Sequence, residues 1–226
     1  MALSLGRQLA PRAISAAPGL TASFVREALQ RAIHGAGPLP GAVRAAESAL
    51  RGQGGDVDKA VRAVIDDHVR YAGAQGFLTN VGGLVTAAVA IPTNVAGLAL
   101  VQCRMIAVIA HLRGHDLDDP RVRNAVITCL IGGEDVDKLV GQRKLPAPPM
   151  ALATAPVHDP DLDKVIAAEV TAAIIAGVAG KRLATTVGRR VPVVGGLVGL
   201  GADGWATWRV GRYAAGELLA RPRAHG

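Results

Sequence analysis

His111 and His115 stand four residues apart, the spacing that sets two imidazoles on one face of a helix, and Asp116 follows directly. Three such groups could ligate a divalent cation. Gly114 interrupts the pair, however, and no glutamate follows His111 as a metalloprotease helix requires. Histidines at a helix C-terminus more often face the negative end of its dipole. Asp116, Asp118 and Asp119 lack the length, the central glycine and the final bidentate glutamate of a calcium loop. Asp119 reads instead as a helix cap beside solvated neighbours, and Glu134, Asp135 and Asp137 read the same way. Residues 195–201, GGLVGLG, have neither a preceding strand nor the GK[ST] of a phosphate loop. There is no GxSxG nucleophile elbow. Cys103 and Cys129 each sit in an apolar run without CxxC spacing, and read as small buried hydrophobes. No cofactor is expected.

Three lone charges among apolar neighbours carry more information: Arg104, Glu169 and Asp203. A buried unpaired charge is very costly, so each must find a partner or reach water. The expectation is that Arg104 pairs with Glu169 or Asp203 and clamps the central helices. Enzymatic use of Arg104, His111, His115 and Asp116 is the weaker alternative, and the chain reads as a protein without a catalytic constellation.

The elements that must position these residues are helices. Phe24, Val25, Ala28, Leu29, Ala32 and Ile33 form one apolar stripe, stopped by Gly35 and Gly37-Pro38. A second short helix fits Gly41–Arg51. Asp56 is a plausible cap for a strongly amphipathic helix whose face runs from Val57 through Val64 and Ile65 to Ala72. Asp119-Pro120 and Asp159-Pro160 repeat a start signal, an N-cap followed by proline at the first helical position. The final helix opens at Pro192, and Gly195, Gly196 and Gly199 there have the small-residue spacing that lets two helix backbones approach closely. No stretch alternates with period two for long enough to propose a sheet. The prediction is an all-α domain of seven or eight helices over residues 21–221, with Gly-rich apolar central helices. A flexible arm (1–20) precedes it, an irregular loop (134–158) interrupts it, and a short tail (222–226) follows it.

Half of the 226 residues are apolar and only 3% are aromatic, so Ala, Val and Leu must do most of the packing. The net charge of +7 is segregated. Residues 1–55 carry six Arg against two acids, and residues 181–226 carry eight bases against two. Residues 56–180 carry eleven bases against fourteen acids. Basic ends suit anionic lipid or nucleic acid, but the N-terminal arm has no aromatic platforms for bases, which makes nucleic acid the poorer partner. From Ala72 to Cys103 there is no charge at all. Pro92 divides that run into Phe77–Ile91 and Thr93–Leu112; fifteen helical residues span about 22 Å, short of the roughly 30 Å hydrocarbon layer. Two full membrane spans are therefore not expected. A hairpin dipping into one leaflet, or a buried helical pair, fits better.

The runs GFLTNVGGL (76–84), AIPTN (90–94), QCRMIAVIAHLRGHD (102–116) and VPVVGGLVG (191–199) resemble the EcsC family of bacterial proteins over about residues 55–215. The matching positions include Gly82-Gly83, Pro92, Arg104-Met105-Ile106, Gly114, Asp116 and Pro192 with Gly195-Gly196. The pattern departs at Arg113 and His115, where many members have aromatics around the glycine. The resemblance implies a place near a membrane transport system, such as an ABC transporter, and no particular reaction. Together with the charge pattern, it leads to the expectation of a non-enzymatic accessory or scaffold protein, cytoplasmic and peripheral at the inner membrane face. The alternative is a soluble helical homodimer that binds a lipid or other apolar ligand.

Overall fold

The computed structural model describes residues 23–36, 39–81, 87–186 and 192–220; along 75–81, 87–94, 178–186, 192–200 and at Ala202 the description is of backbone. The expected arm at 1–20, the tail at 222–226 and the packing of Gly195, Gly196 and Gly199 lie outside the described residues.

Nine helices appear among the described residues: α1 (Phe24–His34), α2 (Ala42–Gly52), α3 (Val57–Val81), α4 (Ala87–Leu112), α5 (Pro120–Cys129), α6 (Gly133–Gly141), α7 (Pro149–Ala153), α8 (Pro160–Thr186) and α9 (Pro192–Glu217). The all-α expectation holds. Extended pairing among the described residues is confined to Gly35–Ala36 against Leu39–Pro40, a tight antiparallel turn between α1 and α2. The turn depends on Gly35, whose φ is +98° and where a β-carbon would lie 2.8 Å from the Leu39 carbonyl oxygen.

The start signals work as expected. Asp56 accepts from the Lys59 amide at 2.9 Å, Asp119 from the Arg121 amide at 2.9 Å and Asp159 from the Asp161 amide at 3.0 Å. Two readings need correction. The stretch 134–158 is not an irregular loop, because α6 and α7 occupy much of it. Glu134 and Asp135 fall in the first turn of α6, where carboxylates favour the helix N-terminus, and Val136 and Leu139 bury its inner face. Nor does Pro92 divide the apolar run, since α4 passes through it in its second turn. There the proline removes the amide bond to the carbonyl of residue 88 and crowds that carbonyl, without ending the helix.

Helix α4 is the axis of the molecule. Met105, Ile106, Ala107, Val108, Ile109 and Ala110 are fully buried, and α1, α2, α3, α5 and α9 all pack against it. Each of its larger side chains contributes on the order of 1.5–3 kcal/mol by leaving water. Val95–Leu112 is long and apolar enough to cross a membrane, yet 61% of it is buried inside the protein. This part of the chargeless run is a core helix.

The two longest helical pairs are antiparallel. Arg113, just after α4, bonds Asp58 at the start of α3 at 2.9 Å. Helices α3 and α9 also run in opposite senses, because Gly204 faces Val69 while Gly211 faces Ile65. A β-carbon at Gly211 would stand 3.0 Å from both Ile65 Cγ1 and Met105 Sδ. The missing side chain at Gly211 lets α9 close onto α3 and α4.

Candidate functional site

Helices α1 and α2 lie across the α3–α4 hairpin and leave a cleft of about 740 Å³ between them. Its walls are apolar: Ala32, Leu39 and Pro40 from α1 and the turn, Ala45 and Ala49 from α2, Val64 from α3, and Leu100, Val101 and Val108 from α4. This lining follows from the amphipathic patterns, since each helix turns its apolar stripe toward the others and α2 stops short of full contact with α3.

Four arginines open onto the same space, Arg31, Arg44, Arg51 and Arg104, against one carboxylate, Asp67. Three of these five charges are already engaged along their own helices. Arg31 bonds Glu27 at 2.6 Å, Arg51 stands 3.9 Å from Glu47, and Asp67 lies 3.5 Å from Arg70. Among the described residues, Arg44 and Arg104 have no carboxylate within salt-bridge distance. The Nε of Arg104 is buried and donates to no acceptor. Burial pulls its guanidinium below its ordinary range, with Tyr71 acting weakly the other way. Beside it, the Nδ1 of His68 donates to the Val64 carbonyl at 2.7 Å. Burial lowers the His68 pKa; the Val64 bond opposes this and Arg104 adds to the lowering.

The expected clamp is distributed differently. Glu169 on α8 stands 3.9 Å from Lys144 rather than with Arg104, and Asp203 on α9 is engaged in an interaction of its own. No ion pair among the described residues joins either to Arg104. Arg104 faces the cleft because α4 is surrounded on nearly every other side. Sequence reasoning could see that this residue needed an outlet but not which side offered one.

The histidine and aspartate trio has structural work. His115 is 2% exposed and its Nε2 lies 2.9 Å from the Leu219 carbonyl, tying the end of α9 to the end of α4. Asp116 accepts from the Asp118 amide at 2.9 Å, and His111 is engaged elsewhere. Among the described residues, no three His, Cys, Asp or Glu side chains converge as a metal site would require. Cys103 and Cys129 are fully buried, and burial raises the Cys103 thiol to about 12.

The core behind the cleft, from the turn before α3 to the end of α9, matches the model of the EcsC protein family over residues 55–221. The chain belongs to the EcsC protein family. No curated protein and no solved structure matches it. In this EcsC protein, Arg113 bonds Asp58 and His115 bonds the Leu219 carbonyl. Helices α1 and α2 precede the matched segment, so half of the cleft wall is built by residues outside it. Arg44 and His68 belong to no motif in the sequence, and each reaches the cleft through the packing of α2 and α3 around α4.

Proposed function

We propose that this EcsC protein is a peripheral membrane protein, an accessory or scaffold that docks on anionic lipid through one pole of its helical bundle. The carrying observation is the antiparallel packing of α3 on α9, with Gly204 at Val69 and Gly211 at Ile65. From the Val69–Gly204 level, α3 continues twelve residues to Val81 and α9 extends twelve back to Pro192, about 18 Å each. The end of α3 at Val81 and the start of α9 at Pro192 therefore share one pole. In sequence, Val81 is followed by more of the chargeless run, while Lys181 and Arg182 stand near the end of α8 and Arg189 and Arg190 precede Pro192. Ion pairs Arg113–Asp58, Arg121–Asp119 and Arg123–Asp118 and the His158–Asp163 hydrogen bond cluster at the other end. Phe24, at the start of α1, and Val95 pack against Ile175, which puts the start of α1 in the half of the bundle nearer the pole of Val81 and Pro192. The C-terminal Arg221 and Arg223 follow Leu219, which His115 holds at the opposite end.

In this proposal the four cations Lys181, Arg182, Arg189 and Arg190 limit insertion to headgroup depth, where each contributes about 1 kcal/mol. The chargeless residues that follow Val81 in sequence then enter only the outer part of the leaflet. Family membership is the ground for a partner in a membrane transport system at the cytoplasmic face.

Flotation with vesicles of phosphatidylcholine alone, and with a quarter phosphatidylglycerol, tests the proposal. Binding is expected only to the anionic vesicles, weakening as salt rises from about 0.05 to 0.5 M. Changing Lys181, Arg182, Arg189 and Arg190 together to Glu is expected to abolish it, while changing Arg221 and Arg223 to Glu leaves most of it. Absence of binding to anionic vesicles, or equal loss in both variants, overturns the docking pole.

A further inference from the structure

We propose that the cleft between α1–α2 and α3–α4 binds one anionic amphiphile. Its acidic head is held by Arg44 and Arg104, and its alkyl chain lies along Val64, Leu100, Val101 and Val108. This reading is independent of membrane docking, because it rests on the waist of the bundle rather than on its pole.

Four observations carry it. A volume of about 740 Å³ is in the range of small-molecule sites. Apolar side chains from four helices line the cleft, whereas side-chain hydroxyl and amide groups on it are limited to Ser48, Gln53 and Tyr71. A sugar or nucleobase would need more polar partners than these. The charge balance is four arginines to one carboxylate, and that carboxylate is 74% exposed and turned to Arg70. Finally, Arg104 presents a buried Nε that no protein acceptor satisfies. A carboxylate or phosphate supplies the missing acceptor, and guanidinium groups are well matched to both. The titratable and charged groups that line the cleft with Arg104 are Arg31 from α1, Arg44 and Arg51 from α2, and Asp67, His68 and Tyr71 from α3; of these His68 and Tyr71 interact with it electrostatically. Among all the lining groups only Asp67 carries negative charge at neutral pH, and it is already engaged. The chain's own N-terminal segment is a poor occupant, because residues 1–22 carry Arg7 and Arg12 and no acid.

Fatty carboxylates and monoalkyl phosphates share the required chemistry, and calorimetry of the full chain in vesicle-free buffer separates them. The probes are decanoate, decyl phosphate, octyl phosphate, decanol and inorganic phosphate, all below micellar concentration. Decanoate or decyl phosphate is expected to bind at least tenfold more tightly than decanol, and the tighter of the two identifies the head. Each methylene adds about fourfold, so decyl phosphate should exceed octyl phosphate by roughly fifteenfold. Arg44→Gln and Arg104→Gln should each weaken the anionic probe at least fivefold and leave decanol unchanged. Arg44 is exposed, so its variant keeps the test meaningful if Arg104→Gln fails to fold, as a thermal melt would reveal. Equal affinity for decanol and the anions overturns the charged head. Binding of inorganic phosphate as tight as that of decyl phosphate overturns the apolar half, and unchanged affinity in a folded Arg44→Gln overturns the site.

Discussion

At the scale of single residues, burial decides the chemistry of the groups that look reactive. His68 lies against the cleft wall with its Nδ1 committed to the Val64 carbonyl, and burial lowers its pKa below 6.5. The unfolded chain then binds this proton more readily than the folded one, so stability falls as pH drops below about 6.5 and continues to fall until the folded value is passed. Thermal melts between pH 7.5 and 5 are expected to show a shallower acid-side decline in His68→Leu than in the parent; identical slopes would remove His68 as the cause. The thiols behave in the same spirit. With Cys103 raised to about 12 and both cysteines fully buried, neither should react with iodoacetamide at pH 8 while the protein is folded. Mass spectrometry should find both modified only after addition of denaturant.

At the scale of elements, local signals set where helices begin, and small residues set how closely they pack. The Asp-Pro pairs at 119–120 and 159–160 cap their helices as written. On α9, Gly211 is the described glycine where a β-carbon would crowd its neighbours, whereas Gly204 makes ordinary contact with Val69. Gly211→Val is expected to lower stability by about 1–3 kcal/mol through overpacking against Ile65 and Met105, read by urea denaturation. Gly216→Ala, on the same helix with open space around it, should be neutral or slightly stabilising.

At the scale of the whole molecule, the family segment is not self-sufficient in packing. Val25, Leu29, Ile33, Ala42 and Ala46 of α1 and α2 are buried in the same core as α4. A chain starting at residue 55 would expose that face of the axis helix to water. Such a fragment is expected to melt well below the full chain and to bind a hydrophobic dye at 25 °C. Melting at the parent temperature would mean that α1 and α2 are mere appendages. The cleft disappears in the fragment in either case, so any binding of decyl phosphate that it retained would have to occur elsewhere.

What the sequence determined by itself is what depends on neighbours along the chain. Helical class, the Asp-Pro starts and the stop at Gly35 follow from periodicity, capping and backbone freedom, all of which act within a few residues. Family membership was legible in the runs around Gly82, Arg104 and Pro192. What tertiary structure decided is where long-range contacts place each charge. Arg104 required an outlet, but whether that was Glu169, Asp203 or an open cleft depended on how α1 and α2 fold back across α4. Burial is a property of the assembled bundle, and no spacing rule encodes it.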